Sequence, residues 1–278
     1  MFEEHAGKRL DIILDYCKWN EVFPLSRCNS IRQRGCVPEL IWDPEDINLT
    51  NIISGNLDGY ITKWTRQAKV FAWPLFVVPL HEMNGDWYSW CGYNNGATLE
   101  ATEKFKKAWV HIIDIFHREG ASNVAFVWAP NWEDWPKDDW NNFRNYYPGD
   151  EYVDWVGVDF YNYNGEHPED MLHPIYDEYS NSKPIMICEC AASNNYGDKA
   201  EWIKTLFLQL EYNFPKVRAF AWFNVNKERD WRIESSTDAQ NAYRIGVASN
   251  YFVSSPTFIK GSPPSIPTGC YHGAYIEY

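Results

Sequence analysis

The chain has 278 residues with 25 basic and 38 acidic side chains, a net charge of -13, and 15 Trp, 18 Tyr and 15 Phe. That acidity excludes a nucleic-acid binder built on clustered Lys and Arg, and it disfavours an anionic membrane surface as a partner. So many large side chains exclude disorder, and no apolar run reaches the roughly 18 residues of a membrane span, which leaves a folded protein with a large core.

The start, Met1 to His5, has neither the charge nor the apolar stretch of a signal peptide. Apolar runs of strand length then recur along the chain. In order they are Asp11 to Cys17 (DIILDYC), Cys36 to Trp42 (CVPELIW), Leu75 to Leu80 (LFVVPL), Val124 to Trp128 (VAFVW), Trp155 to Tyr161 (WVGVDFY), Ile185 to Glu189 (IMICE) and Ala219 to Asn224 (AFAWFN). Near-continuous apolar runs suit parallel strands covered on both faces. Between them, Leu57 to Val70, Thr98 to Glu119 and Lys199 to Phe214 carry apolar residues at helical spacing. This alternation is that of an α/β fold, either a (β/α)8 barrel or a doubly wound sheet. No glycine-rich phosphate loop follows any strand, which favours the barrel and leaves no nucleotide cofactor to expect. A single barrel domain over residues 1–278 follows from the length.

A barrel needs an eighth strand, and the C-terminal segment offers one. Residues 254–268 are rich in Pro and Ser and read as an extended linker. Beyond them Cys270 to Tyr275 has strand-forming residues around a glycine. Cys17, Cys28, Cys36, Cys91, Cys188, Cys190 and Cys270 have no spacing that suggests zinc or a disulfide framework, and the histidines show no metal-site pairing. Packed thiols and no metal are expected.

Glu82 and Glu189 each close a strand-like run. Active sites of α/β barrels form at the C-terminal strand ends, and an acid there needs a reason to be out of water. Two such carboxyls facing one cleft are the equipment of glycoside hydrolysis; the alternative is that each forms an ion pair at a strand end. The neighbourhood favours the first reading. His81 to Trp90 mixes polar and aromatic groups just past a strand, and Trp128, Trp132, Trp135, Trp140, Tyr161, Tyr163 and Trp222 stand at or beyond strand ends. Aromatic platforms with polar groups between them match the C–H faces and hydroxyls of sugars.

The block HEMNGDWYSW resembles the acid/base motif of glycoside hydrolase family 26, a family of retaining barrels with glutamates on strands four and seven. The resemblance continues in VAFVWAPN, YYPGDEYVDWVGVDFYNY, KPIMICE and AFAWFNVNKERDWRI, spanning Phe2 to Phe252. It implies that Glu82 is the general acid/base and Glu189 the nucleophile, with the carboxyls about 5–5.5 Å apart for retention. It further implies that His81 binds the reacting sugar and that Tyr161 orients Glu189, with Asp159 two residues earlier. Trp222 would floor the same subsite, while Trp87 and Tyr88 shape the sugar site beside the acid. Many family members have Arg where Val78 stands, and several mannan-cleaving members have Arg at the position of Phe223. These departures count against mannan, and the EMNGDWY and WFNVNKERDW runs resemble the branch that cleaves mixed-linkage β-1,3-1,4-glucan, so the resemblance leans to that glucan over β-mannan. A non-catalytic carbohydrate-binding barrel and a cofactor-dependent enzyme are the readings from other classes.

Family barrels begin with a strand that this chain lacks at its start, so the resemblance implies a circular permutation with segment 270–275 as strand one in space. That segment is expected between the Asp11 and Ala219 runs of its own barrel, in a monomer; a domain-swapped dimer is the competing placement. A polysaccharide substrate implies a native form outside the cell.

Overall fold

A computed structural model describes residues 1–253 and 256–276. Eight parallel strands follow one another in chain order around a closed barrel. They are β1 (Ile12–Lys18), β2 (Val37–Asp43), β3 (Leu75–Pro79), β4 (Val124–Trp128), β5 (Trp155–Asn162), β6 (Ile185–Ala192), β7 (Val217–Asn224) and β8 (Tyr271–Ile276). The helices are α1 (Phe2–Ala6), α2 (Leu25–Gln33), α3 (Leu49–Ile53), α4 (Asp58–Phe71), α5 (Leu99–Glu119), α6 (Pro168–Tyr179), α7 (Lys199–Tyr212) and α8 (Thr237–Val247). Every residue of β2, β3, β4 and β6 is buried, which is why these runs lack the polar alternation of a half-exposed sheet. Helix α5 buries Ala101, Phe105, Ala108, Trp109, Ile112 and Phe116 along one stripe and ends at Gly120, whose φ of 70° is the left-handed turn glycine permits. The Asp198 side chain caps α7 by accepting from the Ala200 and Glu201 N–H groups.

The C-terminal segment is the barrel's eighth strand. It pairs with β7 through Ala219 with Tyr271 and Ala221 with Gly273, and with β1 through Ile12 with Gly273. A Cβ on Gly273 would lie 2.9 Å from the Phe220 carbonyl oxygen and 3.0 Å from the Ile12 Cβ, so only glycine lets the three strands close up here. Tyr271 is buried in the ring.

The chain divides into two compact units. The first joins Met1–Leu14, Val156–Thr257 and Ile266–Tyr278. Its core sets Phe207 edge-on to Phe220, Tyr243 and Phe252. Within it His272 is fully buried, its Nε2 2.9 Å from the Tyr243 hydroxyl and its Nδ1 3.2 Å from the Arg9 carbonyl oxygen. The second unit joins Asp15–Trp155 and Phe258–Ser265. Here Trp42 stacks between Trp19 at 4.6 Å and Trp64 at 4.3 Å. Part of the linker docks on this unit: the Gly261 N–H donates to the Ala72 carbonyl at 2.8 Å, and Phe258 packs edge-on against Trp73. Ser254 and Ser255 of the linker lie outside the described residues.

All seven cysteines are buried thiols. Among the described residues no helix is long and apolar enough to cross a membrane.

Candidate active site

In the second unit the chain leaves β3 through two non-glycine residues in the left-handed region, Leu80 at φ 56° and Glu82 at φ 51°. Such conformations cost on the order of 1–3 kcal/mol each and persist where the surroundings over-determine them. At Glu82 the N–H donates to the Ala129 carbonyl at 2.8 Å, which ties the turn to the end of β4. Glu82 is 8% exposed, and both of its oxygens accept. Asn131 Nδ2 donates to Oε1 at 2.9 Å and Trp87 Nε1 donates to Oε2 at 2.7 Å. The Trp87 ring covers Gly85, where a Cβ would sit 2.5 Å from the indole, and Trp87 is 45% exposed.

His81 is buried beside Tyr88, with ring centres 5.0 Å apart, and Tyr88 stacks on Trp90 at 4.3 Å. The Trp90 indole donates to the His81 carbonyl at 2.7 Å, while His81 Nε2 lies 3.5 Å from Asp43 Oδ1 at the end of β2. Asn84 is a further fixed point: its Oδ1 accepts from the Asn131 N–H, and its Nδ2 donates to the Asn131 carbonyl and to Asp134 Oδ1, each at 2.9 Å. Trp132 is half-buried and Trp135 exposed. Trp128 is different. Its ring is fully buried, edge-on to Tyr147, so it packs as core and offers no open face to a sugar.

In the first unit Glu189 lies on β6, 4% exposed, and the Tyr161 hydroxyl donates to its Oε2. Asp159 is fully buried on β5, opposite Glu189 in register, next to an irregularity between Val158 and Asp159. Tyr161 stands between Phe223 at 5.6 Å and Trp231 at 5.3 Å. Trp222 is fully buried beneath Tyr243 and Trp202, and its indole donates to the Trp231 carbonyl at 2.9 Å. In this arrangement Trp222 supports the loop after β7; it does not present a ring face to solvent.

That loop is anchored by a buried cation. Lys199 Nζ donates to the Asp230 and Arg232 carbonyls and to the Ser235 hydroxyl, at 3.1, 2.7 and 3.0 Å. Burial lowers its pKa to about 8, against the pull of Asp230 and Glu234. Arg229 lies over Tyr163, Tyr196 and Trp231 at 4.7–5.8 Å, and Tyr163 and Tyr196 are exposed around it.

Glu82, His81, Trp87, Tyr88, Trp132 and Trp128 thus belong to one unit, and Glu189, Asp159, Tyr161 and Trp222 to the other. Asn131, Asn84, Asp43 and Lys199 are the polar residues that sequence reading missed. Asn131 and Asp43 had a usable signal, because each is a polar residue at or just past the end of an apolar run. Lys199 had none, since its partners are backbone carbonyls.

Comparison with known proteins agrees with this architecture. Residues 38–244 match the profile of glycosyl hydrolase family 26. Endoglucanase H of Acetivibrio thermocellus is 34% identical over 95% of this chain, and a mannan endo-1,4-beta-mannosidase A and B of Caldalkalibacillus mannanilyticus is 31% identical over 48%. The matched parts are 30% and 26% of those proteins' own lengths, so the chain corresponds to a minor part of each. The fold is shared with a beta-mannanase from a symbiotic protist of the termite Reticulitermes speratus, at TM-score 0.65 and 16% identity over 91% of this chain and 82% of that one. A Bacillus subtilis mannanase superposes with TM-score 0.62 at 20% identity, over 87% of this chain and 78% of that one. By the extent of the profile match and the colinear likeness to endoglucanase H, the chain belongs to glycosyl hydrolase family 26.

Proposed function

We propose that this protein is a retaining endo-β-glycanase in which Glu82 is the general acid/base and Glu189 the nucleophile. The observation that carries the reading is the pair of buried carboxylates, Glu82 in the turn past β3 and Glu189 within β6, each oriented by side-chain donors: Trp87 and Asn131 on Glu82, Tyr161 on Glu189. Protonated Glu82 gives its proton to the glycosidic oxygen as Glu189 attacks the anomeric carbon, forming a glycosyl ester and releasing the aglycone. Ionised Glu82 then takes a proton from water, which attacks the same carbon and frees Glu189. Tyr161 keeps the Glu189 carboxylate in place for attack.

The substrate is a linear polysaccharide, with β-glucan containing 1,3 and 1,4 linkages as the first reading. Its support is the extent of the likeness to a protein named an endoglucanase and the side chain at Phe223, an apolar ring stacked on Tyr275 at 5.3 Å. A β-1,4-mannan is the second reading, supported by several relatives named as mannan endo-1,4-β-mannosidases. A polymer substrate places the activity outside the cell. Reducing-sugar release from barley β-glucan, glucomannan and galactomannan, with Glu189→Ala as control, tests the reading. Cleavage of one polymer, lost in the variant, is expected; no cleavage of any of them points to a sugar-binding barrel.

A further inference from the structure

We propose that Asn131 is a positioning residue for Glu82, holding its Oε1 through both proton transfers so that the proton is carried on Oε2. The inference rests on the reading of Glu82 as the acid/base. The Asn131 carboxamide joins two partners of opposite demand: Oδ1 accepts from the Glu133 N–H at 3.0 Å, and Nδ2 donates to Glu82 Oε1 at 2.9 Å. A flipped amide would set N–H against N–H and oxygen against carboxylate, so the orientation is determined by its partners.

The backbone of Asn131 is fixed as firmly as its side chain. Asn84, fully buried two residues past Glu82, clamps it on both sides through the N–H and the carbonyl. Asn84 is itself held, its carbonyl accepting from Asn141 Nδ2 at 2.7 Å and from the Trp135 N–H at 2.8 Å. Glu82 is therefore aimed from the end of β4 as much as from its own strand, which fits its left-handed backbone and its N–H bond to Ala129. The two donors on Glu82 differ in setting. Trp87 is 45% exposed, whereas Asn131 sits against fully buried Asn84. Asn131 is backed by the Asn84 clamp, so Oε1 stays held, while Oε2, which shares its lone pairs with the more exposed Trp87 donor, exchanges the proton with the leaving group and then with water.

Asn131→Asp separates positioning from structure, because it keeps the acceptor for Glu133 and the shape of the side chain but turns the donor on Glu82 into an acceptor. Asn131→Ser is the second variant: its hydroxyl accepts from Glu133 but is too short to reach Glu82. Both are measured on the polymer that the wild type cleaves and on a dinitrophenyl β-glycoside of the same sugar, whose leaving group needs no proton. The expected result is a fall in kcat on polymer of about 10–100-fold with KM within about twofold. The basic limb of the kcat/KM profile moves to higher pH in Asn131→Ser, because a donor to the carboxylate is gone, and further in Asn131→Asp, whose carboxylate adds a like charge beside Glu82. The dinitrophenolate burst is retained. Polymer kcat within about twofold of wild type in either folded variant, or failure of both to fold, overturns the proposal. Glu82→Gln, measured alongside, keeps the two readings apart. If it leaves polymer hydrolysis intact, the acid/base reading itself fails; if it abolishes hydrolysis while the Asn131 variants do not, only the positioning role fails.

Discussion

The Trp87 indole donates to Glu82 Oε2 across Gly85, which has no side chain to keep the ring away. Three residues of one short turn therefore act together: the acid, the spacer and the ring. Gly85→Ala places a methyl 2.5 Å from the indole, so the ring must swing out and release the carboxylate. A hydrogen bond to a charged group contributes about 1.5–3 kcal/mol, so kcat/KM should fall by roughly 10–100-fold. Trp87→Phe should lose a similar factor, since it keeps a ring but not the donor. Steady-state kinetics on the two variants checks this; Gly85→Ala at wild-type activity contradicts it.

Tyr161 has the corresponding role on the other carboxylate. Tyr161→Phe removes the donor to Glu189 while leaving the ring between Phe223 and Trp231. The expected outcome is a loss of about 10–100-fold in kcat/KM with little change in melting temperature, because the packing is unaltered. A large drop in Tm with intrinsic activity preserved would show that the hydroxyl is structural.

The seam between β8 and the start of β1 predicts a pH-dependent stability. Burial raises the Asp11 pKa to about 7, against the His272 backbone N–H that its Oδ2 accepts at 3.1 Å. Between the ordinary value of 3.8 and about 7 the folded chain holds a proton that the unfolded chain has lost, so this group's contribution to stability falls as pH rises through that window. His272 has the opposite sign. Burial lowers its pKa to about 3, and below the ordinary 6.5 the unfolded chain takes up a proton that the folded one refuses, so stability falls as pH drops. The two slopes oppose each other across most of the acid range. Asp11→Asn keeps an acceptor for His272 and removes one of them. Its Tm relative to wild type should be several degrees higher at pH 8 than at pH 4. A difference independent of pH contradicts the assignment.

Gly273→Ala forces a methyl against the Phe220 carbonyl and Ile12 between β7 and β1. Overpacking of this kind costs about 1–3 kcal/mol, seen as a lower midpoint in chemical unfolding. Removing residues 269–278 takes away a barrel strand and should abolish cooperative unfolding. Normal folding of the truncated chain would contradict the role of β8 in the ring.

How much of this was legible depends on which physical signal each element carries. Val124–Trp128 could be read to the residue, because an apolar run bounded by Asn123 and Ala129-Pro130 has only one way to be a buried strand. Cys270 to Tyr275 was legible as a strand one residue early, from its composition and from the seven other strands that needed a partner. Glu82 and Glu189 stood out because acids rarely end apolar runs, although β6 continues past Glu189 to Ala192 and β3 stops at Pro79, short of Glu82. The tryptophans misled. A sequence shows that Trp128 and Trp222 lie near strand ends, but which way a ring turns is decided by packing against Tyr147 or Tyr243, and both rings turn inward. Much of the aromatic content is core of this kind, including Trp42, Trp64, Trp90 and Trp109. Asn84 stands inside the HEMNGDWYSW block, but its clamp on Asn131, like the role of Lys199, was not legible: both bind backbone groups distant in sequence, and no local pattern encodes those partners.

The proposed reaction is double displacement at Glu189. It is tested most directly by incubation with an activated 2-deoxy-2-fluoro β-glycoside of the cleaved sugar, followed by mass spectrometry of the intact protein and its peptides. The 2-fluoro group slows breakdown of the glycosyl ester, so one sugar per chain should accumulate on the peptide that contains Glu189, with activity lost in step. Label on any other carboxylate, or an active enzyme that takes up no label and releases product of inverted configuration, would contradict it.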